Sequence, residues 1–81
     1  MSKKGISGIG TIGLQRLHDV RVDRTYYEIT VDSGVVADIC LRNGIPVLEI
    51  FRRAESMIVD AQSFLDVLGK AIASLLSGDR I

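Results

Sequence analysis

His18 and Cys40 are the only histidine and the only cysteine in the 81 residues. A thiol beside an imidazole can form a nucleophile and its base, but only an ionised thiol attacks. Cys40 lies in the apolar, β-branched run Val35–Arg42, with no helix start nearby to favour a thiolate, so it reads as a packed strand residue. A single cysteine excludes an intramolecular disulfide, and with one histidine it excludes a zinc cage of these ligands. His18 reads as a surface or sheet-edge residue. No G-x-S-x-G elbow and no Walker-type phosphate loop occurs. Gly8-Ile9-Gly10-Thr11-Ile12-Gly13 does spell G-x-G-x-x-G, with Asp32 following at dinucleotide-fold spacing. That fingerprint requires a buried strand before the first glycine and a helix opening at the last. Here Met1–Ser7 contain two lysines and no apolar run, and Val20, Val22, Thr25, Tyr26 and Tyr27 disfavour a helix afterwards.

The remaining candidates depend on how the strands align. Thr25–Val31 alternates, with Tyr27, Ile29 and Val31 on one side and Tyr26, Glu28 and Thr30 on the other, the signature of a half-buried strand. Asp32-Ser33-Gly34 reads as a three-residue turn with Gly34 free for positive φ. Val35–Arg42 is the next strand, Asn43-Gly44 a type I′ hairpin turn, and Ile45–Arg53 the strand after it. Pro46 cannot donate to a ladder and belongs on an open side. Upstream, Leu14–Val22 reads as a strand ending in an Asp23-Arg24 turn, and Met57–Val59 can add a short last strand. Asp60 is placed to cap a helix whose apolar stripe is Phe64, Leu65, Leu68, Ile72, Leu75 and Leu76, with Gly78 as its terminating glycine. The expected fold is α+β: a four- to five-stranded antiparallel β-meander with one C-terminal amphipathic helix packed on one face. Residues 1–13 read as a glycine-rich flexible arm, 14–78 as a single ββββα domain, and 79–81 as a tail.

These turns fix a register. They pair Ile29 with Ala37, Tyr27 with Ile39, Ile39 with Leu48 and Ala37 with Ile50. Tyr27, Ile29, Val31, Val35, Ala37, Ile39, Leu41, Leu48 and Ile50 then form the face under the helix. The opposite face carries Val36, Cys40, Val47 and Phe51, which is apolar enough to be a partner interface. It also aligns Glu28, Asp38 and Glu49, joined by Asp19 if Asp23-Arg24 is a two-residue loop. A flat row of strand carboxylates diverges, whereas a divalent-metal site needs converging oxygens, so the row reads as solvated or arginine-paired. Arg16, Arg21, Arg24, Arg42, Arg52 and Arg53 precede or punctuate the strands. With Tyr26 they form a constellation suited to single-stranded nucleic acid, in which charge follows phosphates and a ring stacks on bases.

Composition sets the outer bounds. Apolar residues make up 47% and charged residues 25%, as in a folded domain, while ten basic and ten acidic side chains cancel and leave no global field to attract a polyanion. No apolar run approaches the roughly 18 residues of a membrane span. A lone cysteine and the absence of a signal core point to the cytoplasm. So short a chain buries little core, and without a disulfide or metal it is expected to self-associate as a homodimer or larger.

Tyr27-Glu28-Ile29-Thr30-Val31, the turn at Gly34, Val36-Ala37-Asp38-Ile39 with Arg42, and a last strand leading to Ala61-Gln62-Ser63-Phe64-Leu65 together resemble the PC4-type ββββα domain over about residues 26–76. The resemblance implies a homodimer that binds single-stranded DNA across its sheets in transcription. Two departures stand out. Arg53-Ala54-Glu55-Ser56 replaces the family's lysine-glycine segment, and Phe64 replaces its helix-opening tryptophan. The expectation is a non-enzymatic binding domain, without metal or cofactor, that takes single-stranded DNA or RNA. The alternative is a protein-interaction or regulatory module docking through the apolar outer sheet face.

Overall fold

The computed structural model describes residues 8–53 and 55–78. Its strands are β1 (Ile9–Gly10), β2 (Ile12–Asp19), β3 (Arg24–Val31), β4 (Gly34–Arg42), β5 (Ile45–Ile50) and β6 (Ile58–Val59), followed by helix α1 (Ala61–Leu76). β2 to β5 form an antiparallel meander in sequence order, while β1 and β6 pair in parallel as a separate two-stranded sheet. The fold is therefore α+β, a four-stranded meander with one C-terminal helix packed on it. The glycine-rich segment contributes strands from Ile9 onward, and its first seven residues lie outside the described residues, as do residues 79–81. Thr11 and Asp32 fasten this segment to the β3–β4 turn. The Thr11 N–H donates to Asp32 Oδ1 at 2.9 Å, and the Asp32 N–H donates to the Thr11 carbonyl at 2.8 Å.

Both hairpin turns into and out of β4 are tight. Asn43 and Gly44 have φ of 54° and 79°, the left-handed pair that a type I′ turn demands. The β3–β4 turn has two residues, not three. Asp32 and Ser33 hold φ of 53° and 73°, and Gly34, which does not need positive φ, is already paired with Val31. The expected pairs Ile29–Ala37 and Tyr27–Ile39 are nonetheless present, because a bulge restores the register. Thr30 pairs with Val35 and Ile29 with Ala37, which leaves Val36 as the extra residue. The bulge turns both Val36 and Ala37 into the core, at 2% and 1% exposure, and turns Val35 outward at 40%. The placement of Val36 on the outer face and Val35 on the core face is thus reversed. The β2–β3 turn is longer than expected: β2 ends at Asp19, and Val20 and Val22 stand exposed in the turn.

The core lies between the sheet and α1. Tyr27, Ile39, Ala71 and Leu75 form one buried cluster, and Ile29, Val31, Val36 and Ala37 a second, bridged by Leu14, Leu48 and Leu68. The Tyr27 hydroxyl meets Ser74 Oγ at 2.6 Å, which gives the buried ring a polar partner on the helix. Asp60 caps α1, accepting from the Ser63 N–H and hydroxyl at 2.8 Å each, and Gly78 takes φ of 68° after the helix ends. On α1, Ala71 and Leu75 are buried and Phe64 and Leu68 pack half-buried on the same line, while Leu65 and Leu76 from the expected stripe are exposed. Ile50, expected under the helix, is 67% exposed at the end of edge strand β5. Pro46 sits on that same edge strand, where a missing donor is tolerated.

Candidate binding cleft on the outer sheet face

Cross-strand partners share a face, so the strand register places the outer side chains. One row across the sheet is Gln15, Glu28, Asp38 and Glu49. Beyond it, Leu17 pairs with Tyr26 and Cys40 with Val47; beyond that, Asp19 pairs with Arg24 and Arg42 with Ile45. The β3–β4 ladder stops at Tyr27↔Ile39, while β2–β3 runs on to Asp19↔Arg24 and β4–β5 to Arg42↔Ile45. Each hairpin therefore extends past the ladder that joins them. Between the two arms lies a cleft of about 300 Å³, lined by Asp19, Val22, Arg24, Tyr26, Glu28, Asp38, Cys40, Arg42 and Glu49.

The charges in this cleft are segregated. Arg24 and Arg42 stand at the open end with Asp19 beside Arg24, Glu28, Asp38 and Glu49 at the closed end, and Tyr26 and Cys40 between them. Apart from Asp19, none of these charged groups forms a hydrogen bond or ion pair among the described residues. Asp19 differs: the Arg21 guanidinium and backbone N–H both bond it, which holds its carboxyl below the usual range. Burial pushes the Asp38 carboxyl up, the neighbouring Glu49 adds to the rise, and Arg42 opposes it. Cys40 is 7% exposed and packed, as its strand position suggested. No group of three or more His, Cys, Asp or Glu side chains among the described residues is placed to hold a metal ion.

The expected nucleic-acid residues do not all converge. Arg24, Tyr26 and Arg42 meet in the cleft. Arg21 is bound to Asp19 in the β2–β3 turn, Arg16 shares the helix side of edge strand β2 with its partner Tyr27, and Arg52 and Arg53 are exposed after β5. Of the expected interface residues, Cys40 lies in the cleft, Val47 beside it is half-buried, Phe51 is half-buried beyond β5, and Val36 is in the core. Gln15, not Asp19, completes the acidic row, because the β2–β3 turn spans Val20–Asp23. Asp19 at the end of β2 and Val22 in the turn enter the cleft lining because the turn is longer than the two residues expected of it. His18 is exposed, contacting Thr25 Oγ1 at 3.2 Å and Asp23 Oδ1 at 3.1 Å, far in register from Cys40.

No described helix is long and apolar enough to cross a membrane. The chain matches no protein-family model, no curated protein and no solved structure.

Proposed function

We propose that the chain is a non-enzymatic interaction module that docks a segment of another protein on the outer face of its sheet. The observation that carries this reading is the cleft between the hairpin arms, where unpaired charges of both signs flank the half-buried ring of Tyr26. Hydrogen-bonding charge, an aromatic anchor and a concave wall are the elements of a recognition site. Catalysis by a thiol would need the nucleophile beside its base, and Cys40 and His18 are not so arranged.

Single-stranded nucleic acid, the ligand implied by the PC4-type resemblance, fits this surface less well. A strand presents an unbroken line of phosphates, and its affinity comes from basic groups along the path. Here the path from Arg24 and Arg42 runs past Tyr26 to the carboxylates of Glu28, Asp38 and Glu49. The test pans a random peptide display library and, in parallel, measures short DNA and RNA oligonucleotides by anisotropy at two salt concentrations. Docking predicts peptides whose binding is lost in Tyr26→Ala and kept in Leu65→Ala, which is exposed on the helix. Oligonucleotide binding that falls steeply with salt, with no Tyr26-dependent peptide, would refute it.

A further inference from the structure

The segregation of charge along the cleft specifies what kind of segment it takes. Arg24 and Glu28 are four residues apart on β3, and Asp38 and Arg42 four apart on β4, both spacings read along strands that run antiparallel. The backbone positions of the arginine pair and of the carboxylate row are thus about 14 Å apart along the strands, at roughly 3.4 Å per residue. Tyr26 stands halfway between them on β3, with Val22 toward the arginine end. No ion pair joins the two poles among the described residues, and Arg42 only opposes the rise that burial and Glu49 cause at Asp38. Asp19 beside Arg24 is already taken up by Arg21, so both poles can still take an opposite charge from outside, and a bound cation relieves the burial of the Asp38 charge and its repulsion from Glu49.

Resting on the docking reading above, we infer that the cleft recognises an extended peptide segment carrying a basic side chain and an acidic side chain about four residues apart. The basic side chain lies over Glu28, Asp38 and Glu49, and the acidic one between Arg24 and Arg42. An extended ligand advances at the same rise per residue as the strands beneath it, so the spacing of the charges transfers directly to its sequence. The basic side chain passes the Tyr26 ring, whose face attracts cations. Arginine forks accept a carboxylate in a planar, two-bond geometry, which favours an acidic side chain over a neutral amide at the open end. A polyanion is rejected at the acidic pole and a polycation at the arginine pole. Charge segregation therefore acts as a specificity device as well as an attraction.

The probe is a capped, labelled peptide of β-forming threonines and valines with one arginine and, four residues on, one glutamate, in both sequence orders. Controls carry both charges replaced by glutamine, or the same two charges on adjacent residues. Fluorescence anisotropy should show binding for one charge order, with each control weaker by about tenfold, as two partly exposed charge contacts together imply. Arg42→Glu should weaken the probe, and replacing the probe's glutamate with lysine should restore it. That rescue cannot come from a misfolded variant. Circular dichroism checks that Arg42→Glu, an exposed position, keeps the fold. Equal binding of the neutral and adjacent-charge controls, or no rescue of Arg42→Glu, would overturn the charge-pattern inference. Tyr26-dependent peptides from the library without any charge pattern would also overturn it, while leaving the docking reading in place.

Discussion

The bulge in β4 can be tested by two adjacent valines. Val36 is 2% exposed in the cluster with Ile29, Val31 and Ala37, whereas Val35 is 40% exposed on the other face. Val36→Ala removes two methyl groups from the core, a transfer loss of about 1.5 kcal/mol at roughly 0.8 kcal/mol each. The cavity left behind adds to this, so the expected cost is about 1.5–3 kcal/mol. For a domain of this length, 2 kcal/mol corresponds to a fall in Tm of roughly 8–16 °C. Val35→Ala should change stability by less than about 0.5 kcal/mol. A threonine series sharpens the contrast. Val36→Thr keeps the shape and buries a hydroxyl at a cost of about 1–3 kcal/mol, while Val35→Thr places it in solvent on a strand that suits threonine. Urea unfolding followed by circular dichroism gives all four values, with unchanged m-values required for a clean comparison. Equal costs at the two positions, or a larger cost at Val35, would mean that β4 runs without a bulge and that its first residues show the opposite faces.

Tyr27→Phe should cost about 0.5–1.5 kcal/mol in the same assay through loss of the 2.6 Å contact to Ser74, and combining it with Ser74→Ala should be less than additive. Asp60→Ala should cost about 1 kcal/mol by uncapping α1. Because hydrogen bonds from Ser63 lower the Asp60 carboxyl in the folded state, its stabilisation is complete above the ordinary carboxylate value and is lost as pH falls through the depressed one, a slope the alanine variant should lack in a stability–pH profile. Asp38 has the opposite sign: its raised value means the native state holds the proton more tightly, so stability from this group rises as pH falls through that value. Asp38→Asn should remove that slope and leave stability at neutral pH unchanged or higher, and a marked destabilisation would contradict a net cost from burying its charge beside Glu49.

The meander was legible because its signals are local. Asn43-Gly44, the alternation of Thr25–Val31, the Asp60 cap and the change to helical period at Ala61 each act within a few residues, and all four appear where the sequence puts them. What escaped were the features that local chemistry leaves degenerate. Asp32-Ser33-Gly34 suits a two- or three-residue turn equally well, and only the packing of Val36 against Ile29 and Val31 selects the shorter turn with its compensating bulge. Leu65 and Leu76 are as apolar as Leu68 and Leu75, and the choice among them depends on how α1 lies across the sheet. The acidic row was legible by register arithmetic. The cleft was not, because it arises where the β3–β4 ladder ends before its outer neighbours do, and the sequence carries no mark of that point.

The pairing of β1 with β6 bears on how the chain folds and opens. Every other strand pair joins neighbours in sequence and closes only a short turn, so the meander can zip from either hairpin with little entropic penalty. Ile9↔Ile58 and Gly10↔Val59 instead tie the start of the described chain to the threshold of α1, across almost its whole length, with only two residues on each side. Among the described strand pairs, the longest separation in sequence is thus closed by the smallest sheet. Such a latch forms late, after the sheet and helix have brought its halves together, and opens first, at a free energy well below that of global unfolding. Amide exchange would show Ile58 and Val59 losing protection long before Ile29 and Ile39.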